Sequence, residues 1–243
     1  MSRYERFALI VDTEWTFLGQ TAMRMLELGV DVLYSKDPDE AVLLARQETA
    51  RLGAILIPTT LDLGPGARLL RQLCAGLDAG HGCLIVAGLE PEPEMLEALQ
   101  RQAVQWCLWE PYTERELRFV LTAAMSVDHE SEFRGDLRVP TEIETTVFMG
   151  RHPKPCVVHD LSVSGGYLAA PDPFLTGSRL SVDIAVPGGS ILGKAEVVRD
   201  KTAEVVIRDD VPNGMGVRFT HLAPGSEERL RSFVNASVRR FRL

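Results

Sequence analysis

The sequence predicts two domains, a doubly wound α/β domain on a parallel sheet and then an all-β antiparallel barrel with a C-terminal helix. Three observations carry this. Over residues 7–125, short apolar runs alternate with segments of helical period, five of each. Beyond residue 140 the pattern changes to short strands separated by glycine and proline turns. Between the two, Val127 to Glu132 is polar and breaks both periodicities. The expected organisation is therefore a first domain over 1–127, a linker over 128–133 and a second domain over 134–243.

The first run, Phe7-Ala8-Leu9-Ile10-Val11, is continuously apolar, as in a strand covered on both faces, and Asp12 stands at its carboxyl end. Residues 16–28 place Phe17, Leu18, Ala22, Met25 and Leu26 at helical spacing before Gly29. Val30 to Tyr34 is the second strand. Asp37-Pro38 opens a helix with a capping carboxylate and a proline at its first position. Strand Ala54–Ile57, a helix near Ala67–Cys74, strand Cys83–Ala87 and a helix near Met95–Ala103 follow. Strand Gln105–Trp109 and helix Thr113–Met125 complete the half. Trp106 and Trp109, three apart in a strand, point to opposite faces, so at least one belongs to the core.

In the second half the expected strands are Ile143–Phe148, Cys156–His159, Gly166–Ala170, Leu180–Val186, Lys194–Val198, Val205–Ile207 and Gly216–Phe219. Gly150, Pro153, Pro155, Gly177, Pro187-Gly188-Gly189 and Asn213-Gly214 serve as turn signals. Ser226 is expected to cap a final helix whose apolar face runs through Leu230, Phe233, Val234, Val238 and Phe241.

Composition narrows the function classes. Residues 1–127 hold 11 Lys+Arg against 18 Asp+Glu, and residues 128–243 hold 15 against 16. An acidic first half argues against a nucleic-acid partner, which needs a basic surface. No apolar run reaches the length of a membrane span, and the first residues lack a signal-peptide plan, so a cytoplasmic protein without membrane insertion is expected. Cys74, Cys83, Cys107 and Cys156 are widely spaced, three of them in or beside apolar runs, as expected of free thiols in a reducing compartment. The five histidines show no ligand spacing, so no metal is expected. Neither a nucleophile–base pattern nor a Walker loop appears, so the chain is not expected to be an enzyme and needs no cofactor. Gly64-Pro65-Gly66 is read as a helix-entry turn, and Arg151 to Lys154 as a solvated hairpin tip.

The densest chemistry lies in Asp160-Leu161-Ser162-Val163-Ser164-Gly165-Gly166, read with Arg134 and Arg138 upstream. Acid, hydroxyls and glycines between two apolar strands make a tight connection whose backbone can approach a ligand. The two arginines offer planar forks suited to phosphate oxygens or to the O6/N7 edge of guanine. Read without a ligand, the same residues form a self-satisfied turn and surface ion pairs, with Asp136 or Glu142 as arginine partners.

Arg134-x-x-x-Arg138 followed by Asp160-x-Ser162-x-x-Gly165 resembles the paired signature of PilZ domains, bacterial receptors for cyclic di-GMP. The resemblance extends over about residues 130–243, including Gly214-Met215-Gly216-Val217-Arg218-Phe219 and the last helix. It implies a PilZ-like barrel in which Arg134 and Arg138 contact guanine edges and phosphates. Asp160 and Ser162 would hydrogen-bond the other face, and Gly165 and Gly166 would complete the site, Gly165 leaving room for the base. Phe133, where some relatives carry a further arginine, favours one bound dinucleotide.

The first half resembles the receiver domain of two-component signalling, which implies a flavodoxin-like strand order. Trp109-Glu110-Pro111-Tyr112 is similar to the receiver's last strand and Lys-Pro turn. The phosphorylation chemistry is missing. Pro58 stands where the phosphoacceptor aspartate would be, Glu110 replaces the lysine, and Ala87 or Gly88 falls where a hydroxyl is expected. Of the acidic pair Asp12 remains, with Glu14 nearby, and Asp62 lies beyond the strand end. The expected whole is a pseudo-receiver followed by a cyclic di-GMP-binding PilZ domain, signalling to an unidentified protein partner, with homodimerisation left open. The arm from about Asp128 to Arg138, mobile without nucleotide and fixed with it, would carry the signal by reorienting the pseudo-receiver. The alternative is a nucleotide-independent adaptor built from two degenerate scaffolds.

Overall fold

The computed structural model describes residues 6–13, 18–61, 63–75, 83–102, 104–125, 137–201 and 211–243. The chain divides into two compact units, Met1–Ser131 with Arg239–Leu243, and Glu132–Val238. Among the described residues no helix is long and apolar enough to cross a membrane.

The first unit runs β1 (Phe7–Val11), α1 (Leu18–Glu27), β2 (Asp31–Ser35), α2 (Pro38–Gln47), β3 (Leu52–Pro58), α3 (Leu63–Cys74), β4 (Cys83–Gly88), α4 (Pro93–Arg101), β5 (Trp106–Trp109) and α5 (Glu114–Met125). The strands lie in the order β2-β1-β3-β4-β5, all parallel. This is the flavodoxin-like order. Every residue of β1, β3 and β4 is buried, as continuous apolar runs require. The Asp37 carboxylate caps α2, accepting from the backbone N–H of Asp39 at 2.8 Å and Glu40 at 2.9 Å.

Two details depart from the sequence reading. β3 is longer than the expected strand Ala54–Ile57 and includes Gly53, where a Cβ would stand 3.0 Å from Met125 Cε and 3.1 Å from Arg6 Cβ. The role of this glycine is close helix-on-sheet packing. Phe241, expected on the face of the last helix, lies beyond that helix and belongs to the first unit. Phe241 O accepts from Cys107 N at 2.9 Å, Leu243 N donates to Gln105 O at 3.1 Å, and Arg242 bridges antiparallel to Trp106. The Phe241 ring lies 5.1 Å from that of Phe119. The physical reason is that β5 is the sheet's edge, whose unpaired backbone groups accept a further extended segment. Trp106, on the same strand, is buried edge-on against Phe119, while Trp109 is only partly covered.

The second unit comprises β6 (Val139–Met149), β7 (His152–Leu161), β8 (Gly165–Ala169), β9 (Arg179–Val186), β10 (Gly189–Lys201), β11 (Gly214–Leu222) and α6 (Ser226–Arg239). The strands close into an antiparallel barrel in the order β10-β11-β8-β7-β6-β9, completed by the β9–β10 pair. Closure removes exposed strand edges. Along β9 burial alternates, with Leu180, Val182, Ile184 and Val186 facing the core.

Several strands run longer than the turn residues suggested. Pro153 and Pro155, read as turn signals, sit within β7 opposite Phe148 and Thr146. The turn itself is Gly150-Arg151, between paired Met149 and His152, with Gly150 at φ 63°. The Ser226 hydroxyl, expected as a cap, accepts instead from Leu192 N at 3.0 Å and pins the start of α6 to β10. The expected strand Val205–Ile207 and the linker 128–133, with His129, lie outside the described residues.

Candidate functional site

Asp160 and Leu161 end β7, Ser162 to Ser164 turn the chain, and Gly165 begins β8. Ser162 closes this turn twice, its N–H donating to Gly165 O at 2.7 Å and its hydroxyl to the same oxygen at 3.1 Å. The Ser164 hydroxyl lies 3.2 Å from that of Ser162, and Ser164 O accepts from Phe219 N on β11 at 2.9 Å. Ser162 is 0% exposed, so its hydroxyl in this structure serves the turn.

The two glycines are set by the protein's own backbone. A Cβ on Gly165 would stand 2.0 Å from Val217 O, and one on Gly166 2.5 Å from Asp160 O. Both positions lie where adjacent strands approach too closely for any side chain. Gly165, which the sequence reading gave to the base, thus also lies tight against β11.

Arg138 stands immediately before β6, whose Pro140 pairs with Asp160 on β7. That pairing brings two site residues 22 apart in sequence into contact, with Arg138 Nη1 at 3.2 Å from Asp160 Oδ1. Their side chains are 39% and 25% exposed, so the pair borders solvent. Arg134, with Phe133 and Asp136, lies outside the described residues.

Next to this pair is a residue that the sequence reading treated only as part of the strand Gly166–Ala170. Tyr167 pairs in register with Asp160, is 2% exposed, and donates its hydroxyl to Pro212 O at 2.7 Å. His159 meets its ring edge-on at 5.9 Å. Burial pushes the Tyr167 phenol up, the Arg199 guanidinium opposes this, and Asp160 adds to it. A tyrosine directly after Gly165-Gly166 was the only sequence signal pointing here.

In the first unit Asp12 is 0% exposed and accepts the Tyr34 hydroxyl at 2.5 Å. Burial and this hydrogen bond to Asp12 push the Tyr34 phenol up to about 12. Pro58 ends β3, and a Cβ on Gly88 would meet Thr59 Oγ1 at 2.3 Å. Glu110, which the sequence reading set in place of a receiver's lysine, donates its N–H to Gly88 O at 2.8 Å. Glu14 and Asp62 lie outside the described residues. Among the described residues no group of three His, Cys, Asp or Glu side chains could hold a metal ion.

These features define the class first: a receiver-like α/β domain joined to a closed antiparallel barrel with a polar turn at its rim. Residues 130–236 match the model of the PilZ domain. The second unit is a PilZ domain, and the chain carries it beside a receiver-like fold. No curated protein matches the chain significantly. Solved structures similar to parts of it include CheY4 of Vibrio cholerae, 16% identical with a TM-score of 0.42, covering 49% of this chain and 98% of that one. The PilZ domain of Escherichia coli YcgR with c-di-GMP is 14% identical with a TM-score of 0.35, covering 45% and 94%. Bacillus subtilis MotI/DgrA is 15% identical with a TM-score of 0.36, covering 42% of this chain. The chain spans about half of MotI/DgrA, 49% of its length. The strand orders β2-β1-β3-β4-β5 and β10-β11-β8-β7-β6-β9 define the two folds.

Proposed function

We propose that this protein is a non-catalytic signalling receptor that binds cyclic di-GMP at the rim formed by Arg138, Asp160, Ser162, Gly165 and Gly166, with Arg134 contributing from upstream. The observation that carries the reading is the Arg138–Asp160 contact beside the Ser162 turn, within the segment that matches the PilZ domain. Guanine presents O6 and N7 acceptors to an arginine fork, and its N–H donors suit a carboxylate. The pair is also easy to open. A partly exposed ion pair is worth about 0–1 kcal/mol, against roughly −8 kcal/mol for micromolar binding. Both charged groups can therefore exchange each other for the ligand at small cost.

Binding is then relayed to a protein partner by reorientation of the receiver-like unit. That unit serves as a scaffold, because Pro58 offers no phosphoacceptor and Glu110 repels phosphate. Calorimetric titration with cyclic di-GMP tests the receptor reading. Micromolar binding is expected, weakened about tenfold or more by Arg138→Ala and little restored by Arg138→Lys, since an ammonium lacks the bidentate fork. Absence of heat at high ligand concentration would leave the nucleotide-independent adaptor as the function. The relay is tested by hydrogen exchange over residues 128–138, where unchanged protection on confirmed binding would refute it.

A further inference from the structure

One row of paired residues crosses five strands of the barrel. Pro140 on β6 pairs with Asp160 on β7, Asp160 with Tyr167 on β8, Tyr167 with Gly216 on β11, and Gly216 with Arg199 on β10. Directly paired residues of a ladder point to the same face. Asp160, Tyr167 and Arg199 therefore share one face of the sheet, although 39 positions separate the first from the last in sequence.

Three strand spacings of roughly 4.8 Å put the Arg199 backbone about 14 Å from that of Asp160. The Arg199 side chain closes much of this gap by running back across Gly216. A Cβ on Gly216 would stand 2.8 Å from both Cγ and Nε of Arg199. The guanidinium comes to rest over the Tyr167 ring, 5.7 Å from its centroid. It thus lies beside the residue paired with Asp160. The opposing effects of Arg199 and Asp160 on the Tyr167 phenol report the same proximity.

Among the described residues, three guanidinium groups stand around this face, and they are held differently. Arg138 is tied to Asp160 at 3.2 Å and Arg218 to Glu196 at 3.5 Å, whereas Arg199 rests on an aromatic face. Stacking orients the fork and leaves its N–H edge for an oxyanion.

We infer that Arg199, seated on Tyr167 across Gly216, is a further ligand-binding residue of this domain and takes a phosphate of cyclic di-GMP next to the guanine held by Arg138 and Asp160. The inference rests on cyclic di-GMP being the ligand of this face. It places the dinucleotide along the row from β6 to β10 rather than on the β7–β8 turn alone.

The test titrates cyclic di-GMP into the full chain and its Arg199→Ala, Arg199→Lys and Gly216→Ala variants, with Arg218→Ala as control and thermal unfolding measured for each. Arg199→Ala is expected to weaken binding about tenfold or more and to flatten its salt dependence, since one phosphate contact is lost. Arg199→Lys should keep part of the salt dependence without the full affinity. Gly216→Ala, which displaces the side chain while keeping its charge, should fall between wild type and Arg199→Ala. Arg218→Ala should stay within about twofold of wild type. Wild-type binding with an Arg199→Ala affinity within about twofold of it would overturn this inference alone. No binding by the wild type would overturn the ligand assignment itself. If Arg199→Ala fails to fold, wild-type affinity and salt dependence in both Arg199→Lys and Gly216→Ala would overturn the inference as well.

Discussion

Replacing Gly165 by alanine puts a methyl group where the barrel leaves no space. Its Cβ would stand 2.0 Å from Val217 O, 3.0 Å from Val217 C and 3.1 Å from Arg218 Cα. Real Cβ atoms keep at least 3.0 Å from such neighbours, so β8 and β11 must part by about 1 Å at this point. The Phe219 N to Ser164 O bond, 2.9 Å long, spans the same gap and would stretch beyond hydrogen-bond range. Overpacking costs about 1–3 kcal/mol and one lost backbone bond about 1 more, so the second unit should lose roughly 2–4 kcal/mol. For a domain of this size that is a fall of roughly 10 °C or more in its unfolding temperature. A chain of two units need not unfold in one transition, so hydrogen exchange on the full protein is the suitable assay. The Phe219 and Ser162 amides should lose protection while the β1 and β3 amides keep theirs, and cyclic di-GMP affinity should drop with them. Wild-type protection at Phe219 and Ser162 in Gly165→Ala would refute the close-approach argument.

Three further outcomes are expected. Phe241→Ala removes a ring packed on Phe119 and should destabilise the first unit by about 3–5 kcal/mol; all three tryptophans precede residue 110, so fluorescence-detected urea unfolding reports this unit, and an unchanged midpoint would count against the edge-strand packing. Tyr34 should ionise only near pH 12, because burial and its bond to Asp12 favour the neutral phenol over the ordinary value of 10.0. With the folded value above the unfolded one, this contribution is present below pH 10 and is lost as pH rises towards 12, a loss that Tyr34→Phe should abolish in pH-dependent unfolding. Small phosphodonors with magnesium should leave the intact mass unchanged, since Pro58 ends β3 and Glu110 opposes a phosphate; a stable aspartyl phosphate would contradict this.

Much of this architecture was legible in the residues. Continuous apolar runs at Phe7–Val11 and Cys83–Ala87 mark strands buried on both faces, and the Asp37-Pro38 cap marks its helix, because these signals act within a few positions of the chain. The spaced arginines and the Asp160-to-Gly165 pattern identified the second domain for the same reason. Tertiary structure alone decided the rest. Periodicity states which face a residue takes but not which neighbour it meets there, and only barrel closure sets Asp160 against Tyr167, and Tyr167 against Gly216 and Arg199. Pro153 and Pro155 read as turns because proline lacks a backbone donor, yet the register of β6 and β7 accommodates both. Phe241 had the spacing of a helical face, but the open edge of β5 offered backbone partners that a helix end could not. Gly165 was read as leaving room for a ligand, and only the path of β11 shows that a Cβ there would also stand 2.0 Å from Val217 O, because close approach of backbones distant in sequence leaves no trace in local spacing.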